Sequence, residues 1–182
     1  PGSDIGSQVV LHGRVWRNTT AASYYDHSDY LFNEARSAYH RLASKYEYVV
    51  LEGAGSVAEL NLKDRDFTNL RFAEAVQAPA LLVADIDRGG VFGSLIGTVH
   101  LLDEQERRSI RAFAINRFRG DRGLFESGVQ LLESKLGIPC LGVFPHSDIQ
   151  IEAEDGVSLD DVEETPETAD VAIIRLPHIS NF

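Results

Sequence analysis

The chain repeats one pattern four times: a short apolar run followed at once by polar residues or glycine. When such runs alternate with segments of helical periodicity, they indicate βαβ units and a parallel sheet. The carboxyl ends of parallel strands share one edge of the sheet, and open α/β sheets bind their ligands at that edge. The four segments are YEYVVLEGAGS (46–56), ALLVADIDRGG (80–90), AFAINRFRGD (112–121) and IPCLGVFPHSD (138–148).

The intervening segments predict helices on both faces of a doubly wound parallel sheet, because crossovers between parallel strands are right-handed. We expect the strands at 46–51, 80–84, 112–115 and 138–144. Ahead of them, we expect a strand at 8–15, a loop at 16–20 and a long helix from 23 to 45 capped by Ser23. Later helices are expected near 68–76, capped by Asp66 or Thr68, at 91–102 and from 121 or 124 to 136. Residues 103–108 form either a charged connection or a helix capped by Asp103.

Composition excludes several classes of function. With a net charge of −11 over 182 residues, the chain lacks the positive field that non-specific binding to nucleic acid or an anionic membrane requires. It contains no apolar stretch of 18 residues and no visible signal peptide, so a cytoplasmic location is expected. The single cysteine, Cys140, lies in an apolar run and is expected to be a buried, inert thiol.

Glu52 is a candidate magnesium ligand because it ends the first apolar run and precedes the turn Gly53-Ala54-Gly55. Magnesium prefers oxygen ligands and usually takes only one or two protein carboxylates. Glycines allow positive φ angles and close approach of the backbone to a ligand. The alternative is that Glu52 caps a turn or a neighbouring helix.

The second strand end, DIDRGG (85–90), places glycines, an arginine and a helix start at one point, which suits an anionic oxygen. Asp87 would add a second magnesium contact there. The alternative is an Asp–Arg ion pair that locks the turn.

The third strand end, NRFRGD (116–121), offers an amide suited to the edge of a base and two arginines suited to carboxylates or phosphates. The alternative is a solvated loop with an Arg119–Asp121 pair. At the fourth strand end, His146 follows Pro145. A G-x-x-x-x-G-K-[ST] phosphate-binding loop does not occur in this sequence.

Taken together, SDIGSQVVLHG, EGAGSVAELNL, LLVADIDRGGVFGSLIGT, INRFRGD and GIPCLGVFPH resemble the cobyric acid synthase family, the glutamine-hydrolysing amidotransferases of cobalamin biosynthesis. The resemblance runs from about residue 3 to 155. It implies an α/β domain of the dethiobiotin-synthetase-like P-loop NTPase class without its N-terminal P-loop portion. The implied reaction uses ATP, Mg²⁺ and glutamine to amidate side-chain carboxylates of adenosylcobyrinic acid a,c-diamide, giving adenosylcobyric acid.

The resemblance also implies roles for individual residues. Glu52 would be catalytic and bind the metal, and Asp87 and Arg88 would also be catalytic. The substrate-binding set would be Asp85, Gly89 and Gly90. The ATP-binding set would be Asn116, Arg117, Phe144, Pro145 and His146.

The resemblance further implies an organisation into three parts. Residues 1–148 would be the C-terminal part of the synthetase domain, 149–169 an acidic linker, and 170–182 the start of a class I glutamine amidotransferase domain. The partners would be a corrinoid substrate and ammonia from the glutaminase domain of the same polypeptide. Such a fragment is expected to be inactive alone, and an open apolar sheet edge predicts homo-oligomerisation. The alternatives are another dethiobiotin-synthetase-like ligase and a non-catalytic nucleotide-binding module.

Overall fold

The computed structural model describes residues 6–63 and 67–147. These residues divide into two compact units, 6–27 and 28–147. The predicted acidic linker and the predicted start of a glutamine amidotransferase domain lie outside the described residues. No helix of the described residues is long and apolar enough to cross a membrane.

The first unit is a β-hairpin followed by a short helix. Strands β1 (Gly6–Leu11) and β2 (Arg14–Thr20) pair antiparallel through a turn at His12 and Gly13. Both turn residues have positive φ, which matches the twist of a two-residue hairpin. The predicted loop at 16–20 is therefore wrong, because these residues complete β2. Helix α1 (Ala21–Tyr25) is capped by Thr20, whose side chain accepts a hydrogen bond from the backbone N–H of Ser23.

The second unit holds a three-stranded parallel sheet with strand order β3-β4-β5. Its parallel pairing confirms the predicted α/β class. The elements in chain order are α2 (Ser28–Ala43), α3 (Leu70–Ala75), β3 (Ala80–Asp85), α4 (Val91–Leu101), α5 (Glu104–Ser109), β4 (Ile110–Phe118), α6 (Arg122–Leu136) and β5 (Cys140–Pro145). The single helix predicted for 23–45 is wrong, because a turn at 26–27 separates α1 from α2.

The predicted strand at 46–51 is wrong: the structure assigns these residues no strand. The side chains of Tyr48 and Val50 are 82% and 94% exposed. β-Branched and aromatic residues favour a β-strand because their side chains pack well on a sheet surface. They form a strand only where a neighbouring strand completes the backbone hydrogen bonds. Among the described strands, β3 pairs with β4 and none pairs with residues 46–51.

The core of the second unit lies between the sheet and helices α4 and α6. Phe113 and Ile115 of β4 and Leu132 of α6 are fully buried there, and Leu95 of α4 is 1% exposed. The two faces of β3 differ in burial, although the predicted fold places helices on both faces of the sheet. Leu82 and Ala84 of β3 pack in this core, whereas the alternating residues Leu81 and Val83 are 47% and 58% exposed.

Helix ends follow the capping chemistry of the sequence at three positions. The Asp103 carboxylate accepts from the backbone N–H of Glu106, which confirms the helix at 104–109. The Asp121 carboxylate accepts from the backbone N–H of Gly123 and starts α6. Gly137, with φ 69°, ends α6 in the left-handed conformation. At α3 the cap position belongs to Asn69, not Thr68, and Asp66 lies outside the described residues.

Substitution of Leu132 tests the location of this core. Leu132→Ala removes a side chain with 0% exposure between α6 and the sheet. We expect a loss of about 2–5 kcal/mol in the free energy of unfolding, because the cavity cannot fully collapse. Urea denaturation of the full-length native polypeptide measures this loss. The control is Leu131→Ala, since Leu131 is 49% exposed. An equal loss in both variants would contradict this location of the core.

Candidate functional site

The carboxyl ends of β3, β4 and β5 meet at one edge of the sheet, as the sequence predicts. Asp85 pairs in register with Asn116, and the backbone N–H of Ile86 donates to the Asn116 carbonyl at 3.1 Å. Phe118 pairs with Pro145, and the backbone N–H of His146 donates to the Phe118 carbonyl at 2.8 Å. Backbone hydrogen bonds thus continue past the strands and bring the three polar ends together.

The Asp85 carboxylate holds the turn that follows β3. Its Oδ1 accepts from the backbone N–H of Asp87 at 2.8 Å, and its Oδ2 accepts from the Arg117 guanidinium at 3.3 Å. The hydrogen bond from Asp87 is the main reason that the pKa of Asp85 lies below its ordinary value, and Arg117 adds to the effect. Both carboxylate oxygens are engaged, so Asp85 stabilises the turn in this structure.

A second ion pair links the same two turns. The Arg119 Nε donates to the Asp87 carboxylate at 2.9 Å, with the Asp87 side chain 34% exposed. The alternative of an Asp–Arg ion pair that locks the DIDRGG turn is therefore met by arginines from the neighbouring strand end, whereas the Arg119–Asp121 pair is wrong, because Arg119 pairs with Asp87. Arg117 and Arg119, at the end of β4, donate to Asp85 and Asp87, at the end of β3. Asp121 instead caps α6. These pairs cannot be predicted from the sequence alone, because their residues are far apart in the chain and only the parallel register of β3 and β4 brings them together.

The turn before α4 leaves Arg88 exposed and places two glycines in the left-handed conformation. Gly89 has φ 77° and Gly90, the residue before α4, has φ 72°. A Cβ at either position would meet no atom within 4 Å, so backbone conformation and not space requires glycine here.

The residues predicted to bind ATP lie at the ends of β4 and β5. The Asn116 side chain is exposed, and its Oδ1 accepts from the backbone N–H of Arg117 at 2.9 Å. This bond accompanies a positive φ of 60° at Arg117, an unusual conformation for a residue with a side chain. Phe144 is 53% exposed, Pro145 is exposed and His146 is half-buried. An apolar surface thus lies near an amide that can donate.

Glu52 is exposed and lies in the irregular segment before the glycine turn. Residues 49–53 and the 80–83 portion of β3 line one groove of about 630 Å³. Asn69 is not among the residues predicted from the sequence, yet its Nδ2 donates to the carbonyl of Ala54 at 2.9 Å. Its position directly before α3 is a signal for a capping residue, but its side chain makes no capping bond.

The carboxylates of the predicted site fit a magnesium ion that is bound mainly by a phosphate ligand. Among residues 6–63 and 67–147, no group of three or more His, Cys, Asp and Glu side chains could hold a metal by itself. Magnesium needs only one or two protein carboxylates beside phosphate oxygens and water. The exposed Glu52 carboxylate meets that need, whereas Asp87 is occupied by Arg119.

Cys140 lies away from these strand ends, at the start of β5, and is half-buried. Burial raises the pKa of its thiol, which lowers the fraction of reactive thiolate. Its Sγ donates to the Gly142 carbonyl at 3.5 Å. These properties agree with the prediction of an unreactive thiol.

Comparison with known proteins identifies the class of this chain. Residues 19–154 match the protein family described as "AAA domain", so the chain belongs to that family, and its fold is of the P-loop NTPase-like α/β class. No solved structure matches the chain.

The chain is also similar throughout its length to proteins named cobyric acid synthase, which confirms the predicted resemblance. It is 49% identical over 185 residues to those of Salmonella gallinarum, Salmonella heidelberg and Salmonella typhimurium. The alignment covers 100% of this chain and 37% of each relative. The chain therefore spans little more than a third of the length of these relatives.

The charge on Asp85 predicts an acid-dependent contribution to stability. Since the folded pKa is lowered, the ionised carboxylate stabilises the fold above its ordinary pKa of about 3.9, and this contribution disappears as the pH falls through the folded pKa. We expect Asp85→Asn to lower the melting temperature at pH 7 and to match the wild type more closely at pH 3. Thermal scans between these pH values measure the difference. Asp26→Asn, at an exposed carboxylate of the first unit, is the control. A difference that does not depend on pH would contradict the assignment.

Proposed function

We propose that this chain is part of an ATP-dependent ligase that amidates side-chain carboxylates of adenosylcobyrinic acid a,c-diamide to give adenosylcobyric acid. The observation that carries the proposal is the 49% identity to cobyric acid synthases along the whole chain, including all the strand-end segments. The convergence of three of these segments at one sheet edge supports it, because α/β sheets bind ligands there.

ATP is proposed to bind with its base near the ends of β4 and β5. The backbone N–H of Arg117 donates to Oδ1 of Asn116 and so limits rotation of the Asn116 amide. The Nδ2 of the same amide then presents a fixed donor to the adenine edge. Phe144, Pro145 and His146 would pack beside the base. Arg117 forms an ion pair with Asp85, and this pair orients the Arg117 guanidinium.

Glu52 is proposed to hold Mg²⁺, and the exposed turn at 88–90 to receive an anionic group of ATP or of the corrinoid. When bound, magnesium neutralises phosphate charge and so favours transfer of phosphate to a substrate carboxylate. Arg88 is exposed and contributes positive charge to this turn. Asp85 and Asp87 would act by fixing the turn through their arginine partners, and Gly89 and Gly90 by giving it its shape.

Ammonia is proposed to come from glutamine hydrolysed by a glutaminase domain of the same polypeptide, with 149–169 as a linker to it.

Two further proposals are that the protein acts in the cytoplasm and that it self-associates. Leu81 and Val83 of β3 and Leu141 of β5 are exposed apolar side chains that support self-association.

The metal role of Glu52 is tested by ATP binding. In the full-length native polypeptide, we expect Glu52→Gln to raise the Mg²⁺ concentration needed for half-maximal ATP binding by at least about tenfold, because an ionised oxygen ligand is lost. Isothermal titration calorimetry at several Mg²⁺ concentrations measures this. Glu47→Gln is the matched control, since Glu47 is also an exposed carboxylate in the irregular 46–52 segment.

Equal magnesium dependence in wild type and Glu52→Gln would overturn the metal role. Failure of the wild type to bind ATP would overturn the ligase proposal and favour a module without catalytic activity.

A further inference from the structure

The two glycines of the turn after Glu52 have different surroundings. Gly55 has a φ of 68° and open space around it, so it meets a conformational need. Gly53 has no such angle. A Cβ there would overlap Oδ1 of Asn69 and lie 3.3 Å from its Cγ. A side chain at position 53, beside Glu52, would therefore displace the Asn69 amide.

Asn69 also holds the next residue of the turn. Its Nδ2 donates to the Ala54 carbonyl at 2.9 Å, and the side chain makes no capping hydrogen bond at the α3 N-terminus. One side chain thus contacts both residues that follow Glu52.

Asn69 directly precedes a residue that packs in a buried core cluster. Leu70, the next residue, is 7% exposed and packs in a core cluster with Leu102 and Ile110, the first residue of β4. Further along the turn segment, the Lys63 ammonium donates to the carboxylate of Glu106 at 2.7 Å. The segment after Glu52 is therefore held at both ends, by Asn69 beside α3 and by Glu106 of α5.

We propose that Asn69 is a positioning residue for Glu52: it fixes the Gly53–Ala54 turn and thereby the place of the Glu52 carboxylate relative to β3. This proposal rests on the magnesium role proposed for Glu52. Groups that orient a metal ligand typically change metal affinity by about 10–100-fold when they are removed.

The test is a double-mutant cycle in the full-length native polypeptide, with Asn69→Ala, Gly53→Ala and both together. We expect Asn69→Ala to raise the Mg²⁺ concentration for half-maximal ATP binding by about tenfold. Gly53→Ala should raise it as well, because its Cβ displaces the Asn69 amide. In the double variant, the added Cβ meets no amide, so the result should equal that of Asn69→Ala alone. Calorimetry gives the magnesium dependence, and thermal melting shows that each variant is folded.

Matched controls separate this coupling from the general effect of each substitution. Asn33→Ala removes a side-chain hydrogen bond of the same kind, from Nδ2 to the Asp29 carbonyl at 2.9 Å on α2. Gly97→Ala adds a Cβ that meets no atom within 4 Å on α4. Both are expected to leave the magnesium dependence unchanged.

The outcomes distinguish this inference from the proposal beneath it. If Glu52→Gln shifts the magnesium dependence and Asn69→Ala does not, Glu52 binds the metal and the positioning role is overturned. If Gly53→Ala has the same effect with and without Asn69, the coupling is absent and the inference is again overturned. If Glu52→Gln has no effect, the metal role and the positioning role both fail.

Discussion

The parallel pairing of β4 with β3 on one side and β5 on the other is the constraint on which the second unit depends. The central strand is fixed by burial: Phe113 and Ile115 are fully buried against α4 and α6, and Ala114 is 1% exposed. Because pairing sets the register, it also fixes where each strand ends. Asp85 lies beside Asn116, and Phe118 beside Pro145, as a direct result.

Register then determines the electrostatics of the site. Two aspartates at the end of β3 and two arginines at the end of β4 form ion pairs between residues that are 32 positions apart in the chain. Their side chains are 34–60% exposed, so each pair is partly screened by solvent and contributes more to the geometry of the turns than to stability. The turns keep Arg88 outside these pairs, exposed beside Gly89 and Gly90, where an anion can reach it.

Much of this architecture is predictable from sequence because the responsible signals are local. Continuous apolar runs locate β3, β4 and β5, and Asp103, Asp121 and Gly137 mark helix ends by their own hydrogen bonds or backbone angles. The failures are tertiary. Residues 46–51 have the pattern of a strand but no ladder partner among the described residues, and the partners of Asp85 and Asp87 depend on register. Glycine at position 53 suggests ligand approach, whereas the structure shows Asn69 in that space.

The central claim is that ATP binds where the strands end, with its base at the ends of β4 and β5. Photocrosslinking of the full-length native polypeptide with 8-azido-ATP and Mg²⁺, followed by peptide mass spectrometry, tests it most directly. We predict label on residues 116–119 or 144–146 that unmodified ATP removes by competition. Competed label confined to other segments would contradict the claim.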